Sequence, residues 1–202
     1  MENKRLKIFR SHWLECLTYM PIKVFIGLWS VVLSVYIYTL VLSRPVPLLY
    51  LIIGSLTGLV VWVFFEYVMH RFLFHLRLRS RLGLSFLFIM HGNHHVSPRD
   101  RYRNLMPAVV SVPLAVGLYY LYCTIMGPLF GRPFFLGFLC GYVLYDGWHY
   151  ATHQYCFSNR ILKSVQRHHL QHHYYDPDSN YGVTCPWIDR IFGTTCKITR
   201  KR

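Results

Sequence analysis

Eleven of the chain's twelve histidines fall into four clusters, each at the end of a long apolar segment. They run His70-x4-His75, His91-x2-His94-His95, His149-x3-His153 and His169-x2-His172-His173, with His168 directly before the last group. Imidazole is the commonest protein metal ligand, and it binds only when neutral. On an α-helix, residues at i, i+3 and i+4 lie within an arc of about 100°. His91, His94 and His95 can therefore share a face, as can His169, His172 and His173, while His149 and His153 form a two-toothed comb. His70 and His75 are about 140° apart on an ideal helix, so they are expected either to reach different metals or to straddle a helix end. The ten imidazoles are enough for two ions with about five nitrogens each. A structural zinc needs only four closed ligands, usually with cysteine among them. Ten nitrogens instead suggest redox iron handling O2 beside a buried substrate, although zinc, copper and nickel also accept imidazole.

Three other residues are candidates for supporting this centre. Glu66 is four residues before His70 and Asp146 three before His149, so each carboxylate is placed to accept the free ring N–H of a liganding histidine. His168 points about 100° away from His169 on a helix, which gives it a supporting or surface role. His12 lies apart and is expected only to sit at an interface.

Long apolar helices must carry these clusters. A membrane crossing needs about 20 mostly apolar residues. Residues 22–42, 46–68 and 106–126 qualify, the last despite Pro113. Residues 134–150 make a shorter fourth span, expected to continue as one helix through His153. The turns are brief, Ser43 to Pro45 and Gly127 to Pro133. A nine-residue apolar run, 82–90, is too short to cross and reads as an interfacial helix or a buried cap helix. The expected architecture is all-α: an integral membrane bundle of four transmembrane helices with a cytosolic helical cap. Residues 1–21 form a cytosolic N-terminal segment and 22–202 a single membrane domain.

Charge orients the bundle. The chain is 53% hydrophobic yet carries a net charge of +14, so its apolar and basic residues are segregated. Four Lys and Arg precede span one and Lys23 stands at its edge, seven lie between spans two and three, and eight follow span four; the short turns hold only Arg44 and Arg132. That asymmetry places both termini and all four clusters in the cytoplasm. The basic residues flank apolar spans rather than lining one face, which argues against nucleic acid as a partner. The six cysteines show no framework spacing, so disulfides are not expected. The N-terminus lacks a cleavable leader pattern, and span one reads as a retained anchor. The basic tail, 198–202, reads as a solvated end near anionic lipid.

The surroundings of the histidines resemble a known family. EYVMHRFLFH (66–75), HGNHHVSPRDRYRNLMP (91–107), YDGWHYATH (145–153), HHLQHH (168–173) and YGVT…WIDRIFGT (181–194) look like the fatty acid hydroxylase superfamily, and most like its fatty acid 2-hydroxylases. The resemblance covers a motif-bearing core of 66–194. Sterol desaturases and carotenoid hydroxylases share the clusters but not the HRFLFH and HGNHH surroundings in this combination. The resemblance implies four transmembrane helices under a cytosolic cap and a dimetal centre on the ten histidines. Iron is expected for catalysis, and zinc is possible in the same site.

It also implies O2-dependent hydroxylation at carbon 2 of a long acyl chain, free or in a sphingolipid, at the bilayer. Many relatives begin with a cytochrome b5 domain; here there is no haem motif, so a separate donor such as cytochrome b5 or a ferredoxin-type protein is expected. The compartment is the endoplasmic reticulum in a eukaryote or the inner membrane in a bacterium. Trp62, Phe64, Phe65, Tyr142 and Trp148 are candidate walls of the acyl slot. The competing readings are a sterol or carotenoid hydroxylase or desaturase of the same superfamily, and a non-enzymatic membrane metal-binding protein. Transport usually needs polar groups at mid-membrane, which the first three spans nearly lack.

Overall fold

The computed structural model describes residues 6–197; the basic tail lies outside the described residues. Every regular element among them is helical. In chain order these are α1 (His12–Leu17), α2 (Ile22–Tyr38), α3 (Leu48–Val68), α4 (Arg81–Leu87), α5 (Asn93–Val96), α6 (Ala108–Gln154), α7 (Arg160–Tyr174) and α8 (Trp187–Ile191). Short π turns extend three of them: Thr39–Ser43 after α2, Met69–Phe74 after α3 and Phe88–Gly92 after α4.

Three segments are long and apolar enough to cross a membrane: Ile22–Ser43, Leu48–Phe74 and Ala108–Gln154. Many of their large apolar side chains face outward, among them Val31, Leu49, Leu56, Val60, Val116 and Ile125. Such a surface is stable against lipid rather than water, and the protein is an integral membrane protein. The third segment is two helices. At 47 residues an unbroken helix would be about 70 Å long, more than twice the hydrocarbon core. Gly127 breaks it with φ 71 and ψ 154, a conformation open chiefly to glycine. Pro128 follows at the first helical position, where its missing N–H costs nothing.

The two arms then fold back on each other, with Tyr122 against Phe134 and Phe138 at 4.8 and 5.2 Å and Tyr119 against Phe135 at 5.5 Å. The turn expected at Gly127 to Pro133 is therefore only Gly127, because Pro128 and Pro133 are absorbed into the second arm. That arm runs unbroken through His153 to Gln154, as the sequence suggested.

The chain forms two compact units. One comprises Lys7–Val63 and Arg101–Gly147. Inside it α3 meets the second arm of α6 through glycines. A methyl group at Gly58 would lie 1.9 Å from the Phe134 oxygen, and one at Gly137 would lie 1.7 Å from the Ser55 oxygen. Gly54 and Gly58 on one helix and Gly137 and Gly141 on the other are thus small-xxx-small seams that let two backbones touch. Phe138 and Tyr142 pack edge-to-face and Tyr145 tilted against Trp62 beside this seam, with ring centroids 5.0 to 5.7 Å from Trp62. Trp62 and Tyr142 are therefore packing residues here. The short α1 is anchored by a buried Glu15–Arg103 ion pair and leaves Trp13 exposed.

The other unit comprises Phe64–Asp100 and the chain from Trp148 onward, and it holds all ten clustered histidines. Phe64 packs on Trp187 and Trp148 on Phe157. α4 buries none of its residues and leaves Leu82 85% exposed. The buried-cap alternative for 82–90 is thus excluded for this stretch. Asn159 opens α7 by accepting from the Ile161 and Leu162 amides at 2.9 and 3.2 Å, a standard N-cap.

Candidate metal centre

The ten histidines converge as two groups of five. His70, His75, His91, His95 and His172 form one, and His94, His149, His153, His169 and His173 the other; within each, one ring nitrogen per residue lies within 4.8 Å of all the others. Neither triple stays together. His91 and His95, four apart, share the first group while His94 turns to the second. His169 and His173, also four apart, share the second while His172 turns to the first.

His70 and His75 do not reach different groups. The π turn Met69–Phe74 contains His70, and His75 caps it. Its i→i+5 bonding brings residues five apart toward one face, and the two ring centroids are 5.2 Å apart. The helix-end alternative is the one that holds.

The geometry fits metal ions. Neighbouring Nε2 atoms sit 3.0 Å apart in His91–His95, 3.2 Å in His95–His172, 3.1 Å in His94–His173 and 2.9 Å in His153–His169. Two nitrogens at right angles on an ion at 2.0–2.1 Å would be about 3 Å apart. The Nε2 atoms of His70 and His75 are buried with no hydrogen-bond partner. Burial, and then the crowd of neighbouring imidazoles, pushes His91, His94 and His169 well below the ordinary histidine range. His95 and His172 are pushed down to about 3. The rings are therefore neutral at physiological pH, as coordination requires. Each group can hold a metal ion, and without a cation its inward-facing lone pairs would repel.

The supporting residues lie in the loop after α7. His70 Nδ1–H donates to the Tyr181 oxygen at 2.6 Å and His172 Nδ1–H to the Ser179 oxygen at 2.7 Å. Each bond fixes the tautomer that leaves Nε2 as the ligand atom. The loop is held by two carboxylates. Glu66 Oε1 accepts the Val183 and Thr184 amides, both at 2.8 Å, and Oε2 accepts the Thr184 hydroxyl at 2.5 Å. Asp189 accepts the Tyr181 and Gly182 amides, both at 2.8 Å, and the Thr194 hydroxyl at 2.7 Å. Glu66 was expected to accept from a ring N–H. Instead it holds the segment whose carbonyl does so, because loop amides at the end of α3 need an acceptor more than a ring already bonded to the main chain.

His168 lies outside both groups and bonds Asp189 Oδ2 at 2.9 Å. Asp146 Oδ2 accepts from the Met106 amide at 2.9 Å and the Tyr142 hydroxyl at 3.1 Å. His12 is exposed, 3.6 Å from Cys16 Sγ. Asn180 completes the loop with φ 54, a left-handed conformation that asparagine tolerates. Its side chain donates to the His168 oxygen at 3.0 Å and accepts from the Cys196 amide at 2.7 Å. Asp189, Asn180 and the two carbonyls were not anticipated. The one available signal was Asp189 itself, one of only eight acids in the chain.

Comparison with known proteins bears on what this arrangement does. A family model described as fatty acid hydroxylase matches residues 55–194. Dihydroceramide fatty acyl 2-hydroxylase FAH1 of Arabidopsis thaliana is 35% identical over 71% of this chain and 62% of its own length. The ceramide very long chain fatty acid hydroxylase scs7 of Schizosaccharomyces pombe is 39% identical over 68% of this chain and 40% of its own. The chain thus spans less than two-thirds of either relative. A solved structure titled full length scs7p, with only the hydroxylase domain visible, superposes with TM-score 0.82 at 30% identity, covering 92% of this chain and 70% of that one.

Proposed function

Because the chain belongs to the fatty acid hydroxylase family, we propose that it hydroxylates carbon 2 of long acyl chains, in free fatty acids or in the amide-linked chain of sphingolipids. The two buried groups of five neutral imidazoles carry this reading, and the names of the similar proteins supply the position of attack. Two iron ions, one per group, would supply the activation of O2 and the removal of a hydrogen from the substrate carbon. Zinc would fit the same nitrogens. Electrons come from a donor of the cytochrome b5 or ferredoxin type.

The protein's own residues do the rest. His91, His94, His95, His169 and His172 stay neutral because burial and the neighbouring rings push their pKa values down, so they can present lone pairs rather than protons. His70 and His172 are aimed by main-chain carbonyls. Phe74, stacked on His91 at 5.0 Å, gives the first group an apolar wall that keeps water from competing for the site.

In this reading the reversal at Gly127 makes four crossings, and both termini with all ten histidines are cytoplasmic. The compartment is the endoplasmic reticulum in a eukaryote or the inner membrane in a bacterium. Cysteines placed at 44 and 132 should label from the opposite side to one at 100; equal labelling of all three in sealed vesicles excludes this topology. The reaction is tested by expressing the chain with a donor and locating the new hydroxyl by fragmentation mass spectrometry. One added oxygen at carbon 2 is expected. A hydroxyl or double bond in mid-chain, or on a sterol ring, overturns the substrate assignment while leaving the metal groups intact.

A further inference from the structure

An apolar space lies wholly within the unit of Lys7–Val63 and Arg101–Gly147. It is a trough of about 750 Å³ along α2, walled by Val32, Val112, Ala115, Val116 and Leu139, with Trp29 and Tyr36 on the α2 side. None of its lining residues belongs to the histidine site. Arg44 and Arg132, the two basic residues of the short turns, both line it.

Among the described residues these two cations have no counter-ion. Arg132 Nη2 donates to the carbonyl oxygens of Thr39 and Arg44 at 3.3 and 3.0 Å. Its remaining N–H groups, and all those of Arg44, find no acceptor among the described residues. The acids of this unit are Glu15 and Asp146. Glu15 is engaged by Arg103, and Asp146 by Met106 and Tyr142. An apolar trough that ends in two unneutralised guanidinium groups matches a ligand with a long apolar tail and an anionic head.

We propose that the trough binds one anionic phospholipid, with an acyl chain lying along α2 and the phosphate on Arg44 and Arg132. The size agrees. From Trp29 to Arg44 the helix and its π turn rise about 22 Å, more than the half-thickness of a ~30 Å hydrocarbon core. The volume is that of an ordinary ligand pocket. The head is a phosphate because about eight guanidinium N–H donors remain to be satisfied, five on Arg44 and three on Arg132. A fatty acid carboxylate offers two oxygens, whereas a phosphodiester with its ester carbonyls offers more, and guanidinium pairs with phosphate bidentately. This lipid is a bound component, not a molecule to be oxidised.

Native mass spectrometry of the full chain in detergent tests the site, with phosphatidylglycerol, phosphatidylcholine and palmitate as probes. The wild type should retain phosphatidylglycerol at least about tenfold over phosphatidylcholine of the same chains. Arg44→Gln should bring the two near parity, and Ala115→Trp, which fills the trough, should abolish retention of both. Arg132 also ties down carbonyls, so Arg44→Gln decides; Ala115→Leu serves if the tryptophan variant does not fold. An unchanged preference in Arg44→Gln overturns the proposal. So does displacement of phosphatidylglycerol by equimolar palmitate, which would make the trough a fatty acid site.

Discussion

His70 Nδ1–H donates to the main-chain oxygen of Tyr181 at 2.6 Å, across 111 residues of sequence. With the matching bond from His172 to Ser179, it ties the first histidine group to the loop held by Glu66 and Asp189. No such bond fixes Nδ1 in His94, His153, His169 or His173, which are buried there without a partner. The two groups are therefore oriented by different means.

Glu66→Ala should weaken the first group selectively. It strips three donors of a buried acceptor, a cost of about 2–4 kcal/mol to the loop, and frees the Tyr181 carbonyl to drift. Elemental analysis should show metal content falling by about half, with a smaller loss in Thr184→Val. Full metal content in Glu66→Ala would mean the loop does not hold His70.

Histidine substitutions should divide sharply. His94→Ala or His172→Ala should lower metal content and abolish turnover, since each removes an inward nitrogen. His168→Ala should keep its metal yet melt earlier, because Asp189 loses one of its bonds. His12→Ala should do neither. Metal lost from His168→Ala with an unchanged melting temperature would make His168 a ligand.

Acid should destabilise the chelated protein. Burial and neighbouring rings push His95 and His172 to about 3, against about 6.5 in the unfolded chain. As pH falls below about 6.5, the unfolded state takes up protons that the folded groups refuse, so stability is kept above that value and lost toward pH 3. Thermal melts in chelator should be flat from pH 7 to 8 and fall at pH 5. A melting temperature that rises on acidification would contradict the buried neutral clusters.

Gly137→Ala should break the seam between α3 and the second arm of α6, where the new methyl would sit 1.7 Å from the Ser55 oxygen. Overpacking of this kind costs about 1–3 kcal/mol or more. Gly27→Ala, with nothing within 4 Å, is the control. Equal melting temperatures for the two variants would show that the helices can part without cost.

The ten histidines that the structure gathers were legible in the sequence because residue type and spacing alone select them: they stand three, four and five residues apart, next to apolar spans. Their division was not. Whether His94 follows His91 or turns to the other group depends on which rings approach from α6 and α7, and helical spacing allows both. The pairing of His70 with His75 required a π turn, which Met69–Phe74 does not advertise in its composition. Glu66 stood out by its place four residues before His70, yet its partners are amides 117 and 118 residues away, beyond any local pattern. The long apolar segments gave the helices. The fold-back rests on one glycine, and sequence hydropathy could only bracket it.

The stretch Phe88–Val96 and α7 each send a pair of histidines, four apart, to one group and the residue beside that pair's far end to the other. Adjacent residues on a helix point about 100° apart around its axis, a step set by bond geometry and not by packing. These two helices therefore act as a fixed gauge between the groups. Loosening the surrounding loops can empty a position, but the angle between the two directions is written into the backbone itself.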